Sequence, residues 1–206
     1  MGQFRTNRWF DAIFVAGLLA LLGWAYLHRV TVTDWVFFAT HQPSAQTERV
    51  ATAAGLTPAG RRLLLRSNPH FAGAATIQQV CDAERLGCLT SQGEIYVLDD
   101  PASPQQTVVT AAHEMLHLAY RRLSDSQKTA IAPDLQAGIN QHDADGLHDE
   151  LAGQTSAADR LDEAHSLLGT EYAKLPAGLE AYYRTYFTDR GKVVEAERQA
   201  EAVTNQ

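Results

Sequence analysis

Two histidines and a glutamate share the stretch HEMLH at positions 113–117. In a helix, residues four apart lie one turn apart on the same face. Imidazoles at His113 and His117 can therefore both reach one tetrahedral zinc ion, which binds histidine nitrogen at ~2.0–2.1 Å. Glu114 stands beside the first histidine, where its carboxylate can take a proton from a water that the metal activates. The spacing predicts two zinc ligands, His113 and His117, and a general base, Glu114.

The residues around this motif indicate a buried helix. Positions 108–112 and 118–119 are uncharged and mostly small or apolar. Ionisable side chains on such a helix are costly to bury unless they bind something. The alternative is a surface helix with two incidental histidines. The apolar flanks favour the metal-binding interpretation.

A catalytic zinc site needs a third protein ligand beside the water. One class of zinc peptidases, the metzincins, continues the motif with glycine at position 120 and histidine at position 123. This chain has Tyr120 and Leu123 there, which excludes that class. The third ligand must lie downstream, and the side chains able to serve are His142, His148, Glu150, Glu163, His165 and Glu171.

Two later stretches carry a family resemblance. EAHSLLGTE at 163–171 and LEAYYRTYF at 179–187 resemble the third-ligand helix and the closing aromatic helix of the Mlc titration factor A peptidases. They are more distantly similar to the lethal-factor-like peptidases, and both are gluzincin-type enzymes. The resemblance implies that Glu163 binds zinc and that Glu171 is a supporting acid. The whole chain also resembles a bacterial family of membrane-anchored H-E-x-x-H proteins.

The chain departs from the lethal-factor-like pattern in one place. Those peptidases have a tyrosine about seven residues before the ligand glutamate, where this chain has Thr155-Ser156-Ala157. The group that would stabilise the oxyanion is therefore unassigned by the resemblance. His165 and Tyr172 are the candidates that the sequence offers.

Local signals predict the elements that position these residues. A strand over 93–99, rich in β-branched and aromatic residues, precedes the motif helix and has the character of an edge strand that a peptide could pair with. Serine, proline and glutamine signals start helices at Ser103 and Ser124. The predicted helices are 51–66 with a restart at Thr57-Pro58, 104–122, 124–140, 157–168 and 176–200, with a polar loop at 141–150. The expected fold is mainly α, an α+β zincin-like domain with a small sheet, preceded by one transmembrane helix.

The N-terminal residues predict a membrane anchor. Residues 12–27 carry no charge, and the extension to 9–30 adds Asp11 and Arg29 near the two ends. At ~1.5 Å rise, 22 residues form a helix ~33 Å long, about the hydrocarbon thickness of a bilayer. Trp9 and Trp24 near its ends are typical interfacial anchors. A cleaved signal peptide is the alternative, but no small-x-small cleavage pattern follows the segment.

Flanking charges set the expected topology. Arg5 and Arg8 precede the uncharged run and Arg29 follows it, a mild bias that favours the N-terminus inside. The predicted organisation is a cytoplasmic tip and anchor at 1–30, a juxtamembrane stalk at 31–50 and a metallopeptidase domain at 51–206 outside the cytoplasmic membrane.

Composition narrows the possible partners. With 17 basic and 24 acidic residues among 206, the formal charge is −7, which argues against nucleic-acid binding. Cys81 and Cys88 are predicted to form a local disulfide in an oxidising exterior. The sequence thus predicts a membrane-anchored zinc metalloendopeptidase acting on a peptide or protein substrate. The alternative is a catalytically inactive exported module of the same fold that binds peptides or a partner protein, although such proteins often lose the base that is intact here as Glu114.

Overall fold

The computed structural model describes residues 8–81 and 85–204, and the chain divides into two compact units, Met1–Gln42 and Pro43–Gln206. In the first unit, helices α1 (Arg8–Leu27) and α2 (Arg29–Thr40) follow one another. The segment 31–50, predicted as a stalk, is therefore largely helical, since α3 (Ala45–Ala53) begins soon after α2 ends. Arg5 lies outside the described residues, as do the side chains of Arg8, Asp11 and Arg29.

The predicted single span over 9–30 is two helices in the structure. The helix is interrupted at His28, where φ is −105° and ψ is 24°. None of the described helices is by itself both long and apolar enough to cross a membrane. Ala12–Leu27 and Thr31–Thr40 together meet that test of length and composition, with a bend of 83° between them.

The second unit is mainly helical with one small sheet, as the sequence predicts. Its strands are β1 (His70–Ala72), β2 (Gly87–Leu89) and β3 (Ile95–Leu98). Beyond α3, its helices are α4 (Pro58–Arg66), α5 (Ala74–Val80), α6 (Pro104–Arg121), α7 (Asp125–Gln141), α8 (Leu147–Glu150), α9 (Ala157–Thr170), α10 (Ala177–Tyr183) and α11 (Gly191–Thr204).

The sheet corrects the expected position of the strand at 93–99. The strand order is β1-β3-β2, so β3 is the central strand and not an edge. It pairs in parallel with β1, where Phe71 faces Val97, and antiparallel with β2, where Cys88 faces Tyr96. Alternation alone did not distinguish these positions, because both neighbouring strands have only three residues and give no periodic signal of their own. The edge that borders the motif helix belongs to β2.

Helix α6 lies at the centre of the unit and packs against α9, α11 and β3. It begins with Pro104 in its first turn after Ser103, whose side chain makes no capping hydrogen bond. Met115 and Leu116, between the two histidines of the motif, are fully buried. A Cβ at Gly169 of α9 would collide with the Leu116 side chain, so the glycine lets α9 approach α6 closely.

Two other predicted elements differ from the structure. The helix predicted over 176–200 is broken between α10 and α11, because residues 184–190 turn back to bond another segment. There the Thr57 amide donates to the Tyr186 carbonyl at 2.8 Å, and buried Phe187 forms a bridge with Leu56. The predicted loop at 141–150 contains a 3-10 turn and α8, whose Leu147 is fully buried.

The two cysteines lie at disulfide-bonding distance, as predicted. The Cys81 and Cys88 sulfur atoms are 1.94 Å apart and the Cα atoms 5.7 Å apart. Cys81 caps the C-terminus of α5 and Cys88 is the middle residue of β2. The bond therefore ties the edge strand to the helix that precedes it.

Candidate metal site

The motif residues meet a carboxylate from a neighbouring helix. His113 and His117 project from α6 toward Glu163 of α9, because the close packing of these two helices brings their facing side chains together. One ligand atom from each residue lies within 4.8 Å of the other two. Among the residues that the structure describes, this is the only group of three or more His, Cys, Asp or Glu side chains so arranged.

The distances within this group fit a tetrahedral zinc ion. The two Nε2 atoms of His113 and His117 are 3.1 Å apart. The His113 Nε2 atom is 3.4 Å from Glu163 Oε1, and the His117 Nε2 atom is 3.6 Å from Glu163 Oε2. A tetrahedral ion with bonds of ~2.0–2.1 Å holds its ligand atoms roughly 3.3–3.4 Å apart. The residues present can therefore hold a zinc ion without rearrangement of the helices.

Asp162 fixes the orientation of one histidine. Its Oδ1 atom lies 2.7 Å from Nδ1 of His117, on the side of the ring away from His113. A ring that donates through Nδ1 presents the lone pair of Nε2, which is the arrangement that metal-bound histidines adopt. Sequence reasoning assigned no role to Asp162. The signal was present as an acid directly before Glu163, but its reach to His117 depends on the angle between the helices.

Glu114 lines a polar cleft beside the metal ligands. Its side chain is 93% buried, and the same cleft is lined by His117 and Glu163. Cys88 and Leu89 of the edge strand β2 line it as well. Glu114, two members of the three-residue group and the edge strand therefore border one cleft.

Electrostatics hold the cluster together without a metal. Burial acts to lower the pKa of His113, but the hydrogen bond to Glu163 and the charges of Glu114, Glu163 and Glu171 raise it to about 9. Burial acts to raise the pKa of Glu163, but the nearby positive charges of His113, His117 and Arg85 bring it below its usual value. The metal-free site is thus a protonated histidine paired with a carboxylate.

Glu171 lies outside the three-residue group. It lines a separate, larger cavity together with Glu150, Glu197 and Glu201. Burial raises the pKa of Glu171 to about 8, with a further contribution from Glu197 and Glu150 against the opposing charge of His113. It is near enough to His113 to affect its charge, but the structure places Glu163 and not Glu171 between the two histidines.

The remaining candidate ligands have other partners. His142 bonds Asp145 through Nδ1 and the Lys174 carbonyl through Nε2, each at 2.7 Å. His148 lies beside Arg160 on the surface. Glu150 lines the larger cavity.

His165 is completely buried and bonds the Tyr182 hydroxyl at 2.9 Å through Nε2. Its Nδ1 atom is buried and has no hydrogen-bond partner among the residues that the structure describes. Burial and the charges of His117 and His113 lower the pKa of His165 to about 3, so the ring is neutral. His165 thus lies on the buried side of α9, with its ring against those of Tyr120, Tyr182 and Tyr183, and it is not part of the three-residue group.

Comparisons with known proteins do not assign the chain to a family. No protein family, curated protein or solved structure matches the chain. The function is therefore inferred from the residues and distances of the site.

Proposed function

We propose that this chain is a zinc-dependent metallopeptidase that hydrolyses peptide bonds outside the cytoplasmic membrane. The observation that carries the proposal is the placement of three ligand atoms, from His113, His117 and Glu163, within 4.8 Å of one another beside Glu114. Three protein ligands with a carboxylate nearby are the donor set of a catalytic zinc site, whereas structural zinc sites favour cysteine.

When bound, zinc would polarise the substrate carbonyl and acidify a water molecule. The chain's own residues do the rest. Glu114 accepts a proton from the attacking water and returns it to the amine nitrogen that leaves, which is the work of a general base and then a general acid. Asp162 keeps the His117 ring oriented throughout. Because Glu114 is buried, little bulk water reaches its carboxylate to compete for the proton.

The edge strand supports a peptide as the substrate. In the described sheet, β2 pairs with β3 on one side only. Cys88 and Leu89 of β2 line the cleft with Glu114. An extended peptide can add to such an edge through main-chain hydrogen bonds. Such strand pairing would bring the substrate backbone next to Glu114 without requiring a deep pocket.

The proposed location depends on the N-terminal segment and the cysteine pair. The apolar residues that precede the domain are long enough in total to reach across a bilayer. A disulfide between Cys81 and Cys88 forms and persists outside the cytoplasm. Both features favour an exported domain held at the membrane.

The test is hydrolysis of casein by the full chain in detergent, loaded with zinc, compared with Glu114→Gln. Loss of a positioned base typically lowers turnover ~10²–10⁴-fold. We expect that loss in the variant with zinc content unchanged, because Glu114 is not a ligand. Zinc-loaded wild type that binds casein without cleaving it would instead favour the inactive binding module.

A further inference from the structure

Peptide hydrolysis places negative charge on the carbonyl oxygen of the scissile bond. A donor held at that oxygen typically contributes ~10²–10³ in kcat. Neither residue that the sequence offered for this task lies in the cleft. His165 is fully buried on α9, and Tyr172 lines the larger cavity together with Glu171. A side-chain donor to this oxygen would therefore come from another residue that lines the cleft with Glu114.

Arg85 borders Glu114 in the cleft. It lines the cleft with Glu114, His117 and Glu163. Its side chain is exposed and its positive charge helps to lower the pKa of Glu163, but it makes no hydrogen bond or ion pair with the residues that the structure describes. By contrast Arg121, at the same cleft, already donates to the Thr90 carbonyl at 3.2 Å. Within the described part of the chain, no hydrogen bond therefore occupies the N–H donors of Arg85, and a substrate can receive them.

The disulfide explains how a residue before a short strand can be held in place. Arg85 belongs to the connection between Cys81 and Cys88, whose ends are joined covalently. The Leu98 amide donates to the Leu86 carbonyl at 2.7 Å, which extends the sheet pairing to the residue next to Arg85. Both constraints keep Arg85 at the edge where a bound peptide would lie.

We propose that Arg85 donates to the carbonyl oxygen of the scissile peptide bond and stabilises the negative charge that forms there. This inference rests on the proposed peptidase function. The water oxygen forms a bond to the carbonyl carbon while Glu114 takes one water proton, and the carbonyl π pair moves to the oxygen facing Arg85. The carbonyl double bond then re-forms, the carbon–nitrogen bond breaks, and the leaving nitrogen takes the proton from Glu114. A guanidinium suits this oxygen because it is always charged and offers several N–H donors.

The test compares Arg85→Gln and Arg85→Lys with the full-length wild type, using a fluorogenic peptide that the wild type cleaves. Arg160→Gln is the matched control, because it removes a half-buried arginine that does not line the cleft and whose described side-chain contact is with His148. We expect Arg85→Gln to lower kcat ~10²–10³-fold with little change in KM and full zinc content. Arg85→Lys should recover part of the rate because it keeps the charge. Binding of a peptide phosphonate, which imitates the tetrahedral species, should weaken by a factor similar to the loss in kcat/KM.

Three results would overturn the inference while leaving the peptidase intact. One is an unchanged kcat in Arg85→Gln. Another is a raised KM with unchanged kcat, which would make Arg85 a binding residue for a substrate carboxylate. The third is loss of zinc from Arg85→Gln. A zinc-loaded wild type that cleaves no peptide would instead overturn the proposed function, and this inference with it.

Discussion

At the scale of single residues, the candidate site is built from pairs. Asp162 lies 2.7 Å from the Nδ1 atom of His117. This contact leaves the other ring nitrogen, Nε2, for a metal ion. The neighbouring Glu163 lies 3.4 Å from His113. Two consecutive acids on α9 thus contact the two histidines in different ways: we propose that Glu163 is a ligand and that Asp162 orients His117.

The supporting role of Asp162 gives the first prediction. Asp162→Ala should lower zinc affinity ~10–100-fold, because removal of a residue that orients a metal-bound histidine has effects of that size. Competition against a chromophoric chelator measures the affinity. Asp159→Ala is the control: Asp159 lines the same cleft, but its side chain bonds Ser156 and Thr155 at the start of α9. Equal affinity in Asp162→Ala and the wild type would contradict the assignment.

The protonation of His113 gives the second prediction. Its pKa is raised to about 9 in the metal-free chain, whereas a metal ligand must be neutral. Zinc binding near pH 7.5 should therefore release a proton from His113, and affinity should rise with pH up to about 9. Calorimetry in buffers of different ionisation enthalpy counts the protons. An affinity that does not change between pH 7 and pH 8.5 would count against it.

The same group affects stability with a defined sign. A raised pKa in the folded state contributes stability that is complete below the unfolded value of ~6.5 and is lost as pH rises through about 9. Metal-free protein should lose stability over this window. Zinc-loaded protein should show no such loss over this window, because His113 carries no proton when it binds the metal.

At the scale of elements, the site depends on how closely α9 approaches α6. Gly169 has Leu116 and Tyr183 against the position that a Cβ would take. Leu116 belongs to the motif helix α6, between Glu114 and His117, whereas Glu163 belongs to α9. Any shift of α9 away from Leu116 therefore also changes the distance from Glu163 to the two histidines.

Gly169→Ala should therefore destabilise the fold and weaken zinc binding together. Overpacking a buried contact typically costs ~1–3 kcal/mol. Thermal unfolding measures the first effect and chelator competition the second. Gly153→Ala is the control, because nothing lies within 4 Å of a Cβ at Gly153. An unchanged midpoint and unchanged zinc affinity in Gly169→Ala would show that the two helices tolerate the extra methyl group.

Sequence patterns predicted the elements that depend on local signals. The motif helix begins at Pro104, and Ser124 with Gln127 forms the capping box expected at the start of α7. Contacts between distant segments were not predictable in this way. The turn between α10 and α11 exists because Tyr186 bonds Thr57, and the strand at 95–98 is central because two three-residue strands flank it.

The site shows the same division. Spacing alone predicted that His113 and His117 share one face of a helix, with Glu114 beside the first of them. Glu163 required a family resemblance to be preferred over Glu171, and the structure places Glu163 between the histidines. The sequence assigned no role to Asp162 or Arg85, because their proximity to the site depends on the packing of α9 and on the strand edge at β2.

At the scale of the whole molecule, the sequence predicts that residues 51–206 are exported and remain attached to the membrane. A reporter enzyme that folds only outside the cytoplasm, fused after Gln206, should be active and should sediment with membranes. The physical reason is the long apolar segment near the N-terminus, whose large side chains such as Trp9 and Leu27 are 79% exposed in the chain alone. The control is the same fusion with residues 9–30 deleted, which should be inactive.

A reporter that is active only on the cytoplasmic side would contradict the orientation. Release of a shortened soluble protein would contradict the anchor and favour a cleaved signal peptide.

The central claim is that His113, His117 and Glu163 together bind the zinc of a hydrolytic site. It is tested most directly by the zinc content per chain of the purified full-length protein and its variants, after loading with excess metal and removal of the free ion. We predict about one zinc in the wild type, in Glu114→Ala and in Glu171→Ala, and well below one in Glu163→Ala, because only the last variant loses a ligand. No zinc in the wild type, or full zinc in Glu163→Ala with loss in Glu171→Ala, would contradict this assignment of the site.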